Sequence, residues 1–280
     1  MSALHLLLIN ASARLGVSGI HPHGSHTRRL TRHLVDRWRA VRPEDQVIYR
    51  DLSREPPSPV TAEWIDAAFT PPQRRDAGMS AYLAESDRLI EELRRADLVV
   101  IGVPMYNFGI PATLKAWIDN VVRVGATFGF DRERAEDSYW PMLPAGKRLV
   151  ILSSRGDTGY EPGGRLEFMN LVERSITLPM SYIGLTETYC IAIEYDEFAD
   201  DRLSTSIAKA EGAVNVLVQK LVAIPIQISS GPPGLPKPFK VNTLWPTSCR
   251  DAHSFSNATS DGVSRLLTHS DAQAGVIEKM

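Results

Sequence analysis

The chain has 280 residues, 43% of them hydrophobic and 23% charged, which is the composition of a globular protein with a sizeable core and excludes disorder throughout. Its 31 basic and 33 acidic side chains leave a formal net charge of -2, so no broad positive field points to nucleic acid or an anionic membrane as a partner. Two cysteines, Cys190 and Cys249, are too few for a disulfide scaffold and suit a reducing, cytoplasmic setting. The apolar run at 4–9 has no basic region before it and is read as a first strand instead of a signal peptide. No run approaches the roughly 20 apolar residues that span a bilayer.

Residues 4–9 are followed by further apolar runs at 46–49, 98–103, 148–152 and 182–193, the second weak and the last a candidate. Near-continuous apolar strands are covered on both faces, which is the habit of a parallel sheet. Between them lie helical stripes. Leu30, Leu34, Val35 and Trp38 share one face of a helix over 27–41, and Leu83, Leu89, Ile90 and Leu93 share one over 80–95. Pro111 suits the first turn of a third helix carrying Leu114, Trp117, Ile118, Val121 and Val122 inward. A last helix over 201–222 repeats Ile207, Ala210, Val214, Val218 and Leu221 near a period of 3.6. This alternation predicts a doubly wound α/β sheet of five parallel strands in order 2-1-3-4-5, with helices on both faces.

From 224 the character changes. The stretch IPIQISSGPPGLPKP cannot continue a helix, because its prolines lack donors and clash with the preceding turn. The expected division is a domain over 1–224 and a Pro/Gly/Ser-rich, irregular extension over 225–280. The alternative is that Phe239, Val241, Leu244, Trp245 and Phe255 pack onto the domain or across a dimer.

In such a sheet a ligand binds beyond the carboxyl ends of the strands, where strand order reverses. Three loops meet that description: 10–26, 104–111 and 153–164. The first feeds a helix through NASARLGVSGIHPHGSHT, with Ser25 near its N-cap and Thr27 in its first turn. Free amides and hydroxyls there suit a phosphate, although taken alone the loop is explained more simply by an ordinary capping Ser/Thr pair. Neither G-x-G-x-x-G nor G-x-x-x-x-G-K-[ST] is present. In the second loop Met105, Tyr106 and Phe108 follow directly on a buried strand, offering a planar ring an apolar rest, or else a plug for the sheet end. The third, SSRGDTGY, has glycines that let a backbone approach closely. His21, His23 and His26 have no carboxylate or cysteine beside them in sequence, so no metal is expected. Neither cysteine is placed as half of a Cys–His nucleophile pair.

The second loop and its sequel, PMYNFGIPATLKAWID over 104–119 and NVVRVGATFGF over 120–130, resemble the FMN-dependent NADH:quinone oxidoreductases and azoreductases of flavodoxin-like fold. The resemblance extends from residue 4 to about 223. It implies phosphate contacts from Ser12, Ser25, His26 and Thr27, and isoalloxazine contacts from Pro104, Met105, Tyr106, Asn107 and Phe108. It also implies contacts beside the ring from Ser154, Arg155 and Gly156, and a substrate pocket walled by Phe128, Phe130 and Tyr182. The family's chemistry implies FMN as the reactive group, with no catalytic side chain. NADH or NADPH would act as donor, with a quinone, azo compound or nitroaromatic as acceptor, in ping-pong turnover by a homodimer. The alternative is an FMN electron carrier without productive NAD(P)H turnover. Two departures stand out. Ser12 and Ser25 are thirteen positions apart, with 17–24 as an insertion, and Asp157 stands where the family has a glycine.

Overall fold

The computed structural model describes residues 3–134, 138–223 and 241–243. In chain order the elements are β1 (His5–Asn10), α1 (His26–Val41), β2 (Gln46–Asp51), α2 (Ala62–Phe69), α3 (Ala77–Arg95), β3 (Leu98–Pro104) and α4 (Ala112–Val121). They continue as β4 (Phe128–Phe130), β5 (Tyr139–Pro141), β6 (Arg148–Ser154), α5 (Val172–Tyr182), β7 (Glu187–Ile193), α6 (Asp201–Ala223) and β8 (Val241–Thr243). Five parallel strands run in the order β2-β1-β3-β6-β7, while β4 and β5 pair apart as an antiparallel hairpin. Discounting that hairpin, this is the expected flavodoxin-like order. Val241–Thr243, inside the expected extension, lies parallel along β7 as a sixth strand.

Successive residues of a strand face opposite sides, so each strand feeds two cores. Leu7, Ile9, Val99, Ile101, Leu149 and Ile151 pack beneath α3, α4 and α5, whereas Leu6, Leu8, Leu98, Val100, Val150 and Leu152 pack beneath α1 and α6. Both faces are therefore covered, and every residue of β3 and β6 is buried. Burying each large aliphatic chain contributes about 1.5–3 kcal/mol before conformational entropy is set against it. The edge strand β2 is half exposed, which accounts for its weak apolar signal. Gly102 on β3 lets α1 settle close: a Cβ there would stand 2.7 Å from Thr31 Cγ2 and 3.1 Å from Asn10 Oδ1.

One boundary differs from expectation. The run read as a strand from 182 is two elements, because Tyr182 closes α5 and the strand starts at Glu187. Val172, Ile176 and Met180 lie on the buried side of α5, but Pro179 inside the helix disguises the pattern. Gly184, at φ 120, then turns the chain into β7. The short helix α2 was not anticipated.

The chain divides into two units, Met1–Pro246 and Thr247–Met280, of which the second lies outside the described residues. Phe239, Leu244, Trp245 and Phe255 lie outside them as well. Among the described residues no helix is long and apolar enough to cross a membrane.

Candidate functional site

Because the strands are parallel, their carboxyl ends share one edge. Their hydrogen bonding also runs on into the loops. Ala11 N donates to Gly102 O at 2.9 Å, Met105 N to Ser154 O at 2.8 Å and Arg155 N to Ile193 O at 2.9 Å. The loops after β1, β3, β6 and β7 consequently leave the sheet side by side.

The first loop returns to α1 despite its insertion. Ser25 N donates to Gly16 O at 2.8 Å and Ser18 N to Ser25 O at 3.2 Å, so 17–24 is an excursion pinched shut at its base. Inside it Val17 N donates to His21 Nδ1 at 3.1 Å. Ser25 is the N-cap of α1; its Oγ accepts from Arg28 N at 3.3 Å and lies 2.9 Å from Thr27 Oγ1. Arg28 braces the whole turn. Its Nη1 and Nη2 donate to Asp51, its Nη2 to Ser12 O at 3.0 Å and its Nε to Arg14 O at 2.7 Å. Burial favours the neutral form of Asp51, but hydrogen bonds from Arg28 and Ser53 prevail and hold its pKa at about 2.

The second loop is a tight turn in which Tyr106 and Gly109 exchange both main-chain bonds at 3.0 Å. Asn107 and Phe108 occupy it at φ 48 and 67, left-handed values that cost non-glycine residues strain. Such strain persists where the surroundings over-determine it, and here Tyr106 Oη accepts from Ala13 N at 3.2 Å while Leu171 N donates to Phe108 O at 3.0 Å.

In the third loop the Arg155 side chain turns inward. It is fully buried, with Nη2 donating to Glu173 Oε1 at 2.5 Å and to Ser153 Oγ at 3.1 Å, so only its backbone side can meet a ligand. Asp157 faces outward. A hydrogen bond from Thr158 N and the neighbouring Arg165 hold its carboxyl below the usual range. It is not among the residues that line the cavity formed by these loops.

The loops enclose a cavity of about 300 Å³. Of the expected set, Ser12, Ser25, His26, Pro104, Met105, Tyr106, Ser154, Arg155 and Gly156 line it. Thr27, Asn107 and Phe108 do not: Thr27 is buried against Ser25, and the other two form the exposed turn tip. Three lining residues were not anticipated, namely Arg14, Asp196 and Glu197. Asp196 and Glu197 follow β7, and applying the strand-end rule to one more strand would have found them. A Cβ on Gly156 would stand 2.5 Å from Glu197 Oε1, so the glycine leaves room for that carboxylate.

The expected pocket aromatics gather separately from this cavity wall. Phe128 lies 5.1 Å from Tyr182, centroid to centroid, and Tyr139 on β5 joins them at 6.3 and 6.0 Å. Phe130 stacks on Tyr139 at 4.7 Å. Burial, aided by Tyr139, pushes the Tyr182 hydroxyl up.

Residues 5–214 match a family described as Flavodoxin-like fold. The chain is 41% identical over 217 residues to the FMN-dependent NADH:quinone oxidoreductase 2 of Colwellia psychrerythraea, covering 78% of this chain and 99% of that protein. It is 39% identical over 217 residues to the enzyme of the same description from Idiomarina loihiensis, covering 77% and 90%. An azoreductase structure from Bacillus anthracis shares the fold at a TM-score of 0.66 and 22% identity, over 78% of this chain and 99% of that one. By the extent of the family match and by these relatives, the chain belongs to the flavodoxin-like family.

Proposed function

We propose that the chain is an FMN-dependent NADH:quinone oxidoreductase. The observation that carries this reading is one cavity joining two chemistries: Ser12 from the loop after β1 with Ser25 at the start of a 16-residue helix, and the apolar Met105 and Tyr106 beside the Ser154–Gly156 backbone. The donor set fits FMN. First-turn amides of α1 lack intrahelical acceptors and suit the phosphate dianion, and the second and third loops suit a flat ring with polar edges. The relatives' printed activities agree.

Bound FMN supplies two-electron chemistry. The chain's part is to seat it. Ser12, Ser25 and the amides of His26 and Thr27 hold the phosphate end, while Met105 and Tyr106 support the ring. Asn107 and Phe108 shape the turn that presents them. Phe128, Phe130, Tyr139 and Tyr182 wall the acceptor's approach, which serves quinones first and azo compounds or nitroaromatics as further acceptors. We assign the flavin site to the domain over 1–224 and the protein to the cytoplasm, supported by a free, buried Cys190. We also assign a homodimer, supported by exposed Phe108, Phe130, Tyr139, Leu171 and Leu178 and by Phe168 at 80% exposure.

The test is anaerobic stopped-flow absorbance on the reconstituted protein. NADH should bleach the flavin in preference to NADPH, and a quinone should restore the colour. A chain that takes up no FMN after reconstitution overturns the assignment, and one that takes it up without NADH or NADPH turnover supports the electron-carrier alternative.

A further inference from the structure

His26, the first residue of α1, is held from two sides. Ser18 Oγ lies 2.9 Å from His26 Nδ1, and Asp196 Oδ1 lies 3.2 Å from His26 Nε2. Ser18 belongs to the excursion over 17–24, and Asp196 belongs to the loop after β7. One imidazole thus ties the insertion to the far wall of the cavity. That far loop is itself tightly determined, with Tyr195 and Ala199 at φ 65 and 51.

A serine, a histidine and an aspartate in series have the composition of a nucleophile relay. Ser18, however, is 8% exposed and does not line the cavity, so its hydroxyl has no access to a substrate. It acts through position.

The partners fix how the ring is used. Asp196 Oδ1, an acceptor 3.2 Å from Nε2, favours the tautomer with its proton there, and Nδ1 is then free to take the Ser18 hydroxyl 2.9 Å away as its donor. Both ring nitrogens are occupied, and His26 meets an anion at the α1 N-terminus through its main-chain N–H. With that proton the ring offsets part of the charge of Asp196, a carboxylate that lines the cavity together with Glu197 and Arg14.

We infer that Ser18 is a positioning residue for the cofactor's phosphate. By holding His26 against Asp196 it keeps that carboxylate compensated and leaves the first turn of α1 open to the anion. The inserted segment is what brings Ser18 there. This inference rests on the FMN reading above.

The experiment measures the FMN release rate, from recovery of free-flavin fluorescence after dilution of the loaded protein. Ser18→Ala should release FMN about tenfold faster, the size of one lost hydrogen bond in a charged pair. Ser18→Thr keeps the hydroxyl and should release at the parent rate. In the Ser18→Ala background, Asp196→Asn removes the uncompensated charge and should slow release again, a rescue that a merely structural serine would not show. Parent-like release from Ser18→Ala, or a double variant that releases no more slowly than Ser18→Ala, overturns the inference. If the parent chain binds no FMN, the reading beneath it falls, and this inference with it.

Discussion

Arg28 holds both oxygens of Asp51, at 2.7 and 2.8 Å, with the same guanidinium that donates to the carbonyls of Ser12 and Arg14. An arginine of the first helix therefore joins the end of β2 to the loop after β1. Only a planar fork with several fixed donors can serve all of these acceptors at once. Arg28→Lys keeps the charge but loses the fork. Its FMN affinity should fall about tenfold by fluorescence titration, with a lower Tm, as expected from losing one or two charge-assisted bonds.

The same pair sets an acid limit. Asp51 titrates at about 2 in the folded chain against an ordinary value of 3.8, so its contribution is fully present above pH 4 and is lost as pH falls toward 2. Urea unfolding at a series of pH values should show Asp51→Asn less stable than the parent at pH 7 by about 2 kcal/mol, with the gap closing between pH 4 and pH 2. A gap that stays constant across that window would count against Asp51 as the titrating group.

Gly24 closes the excursion. A Cβ there would stand 2.3 Å from the carbonyl carbon of Val17 and 2.4 Å from Ser18 N, both main-chain atoms that cannot swing aside. Gly24→Ala should spread the base of the loop, displace Ser25 and weaken FMN binding at least tenfold. The sheet lies elsewhere, so far-UV circular dichroism should stay unchanged.

Glu173 is the buried partner of Arg155, its side chain 15% exposed against 0% for the arginine. Removing the cation strands a carboxylate in the core, so Arg155→Met should cost about 3–5 kcal/mol in urea unfolding. Glu173→Gln keeps an acceptor but takes the anion from a guanidinium that is 0% exposed, so its cost should be of the same order. A loss well under about 1 kcal/mol in either variant would show that the charge of the pair is not what matters.

Phe128 and Tyr182 form the closest tilted contact of the aromatic cluster at 5.1 Å. If the cluster walls the acceptor's approach, Phe128→Ala and Tyr182→Ala should raise KM for a bulky quinone several-fold and leave the rate of flavin reduction by NADH nearly unchanged. Stopped-flow separates the two half-reactions. An equal loss in both would place the cluster at the flavin instead.

The sequence by itself determined the layers and the location of the site. Apolar runs such as 98–103 must be covered on both faces, and parallel strands put their following loops at one edge, so the regions around Ser12, Tyr106 and Ser154 were legible as neighbours. Periodicity is a local property, and what depended on distant partners was not visible in it. Whether Arg155 faced the cavity or Glu173, whether Asp157 faced a ligand or Arg165, and how 17–24 returned to α1 were decided by side-chain contacts within and between loops and by main-chain turns, none of which leaves a periodic signal. Asp196 illustrates the limit: its place just after β7 puts it at the strand-end edge, but only the fold shows that β7 ends opposite the first turn of α1, with Asp196 within 3.2 Å of His26.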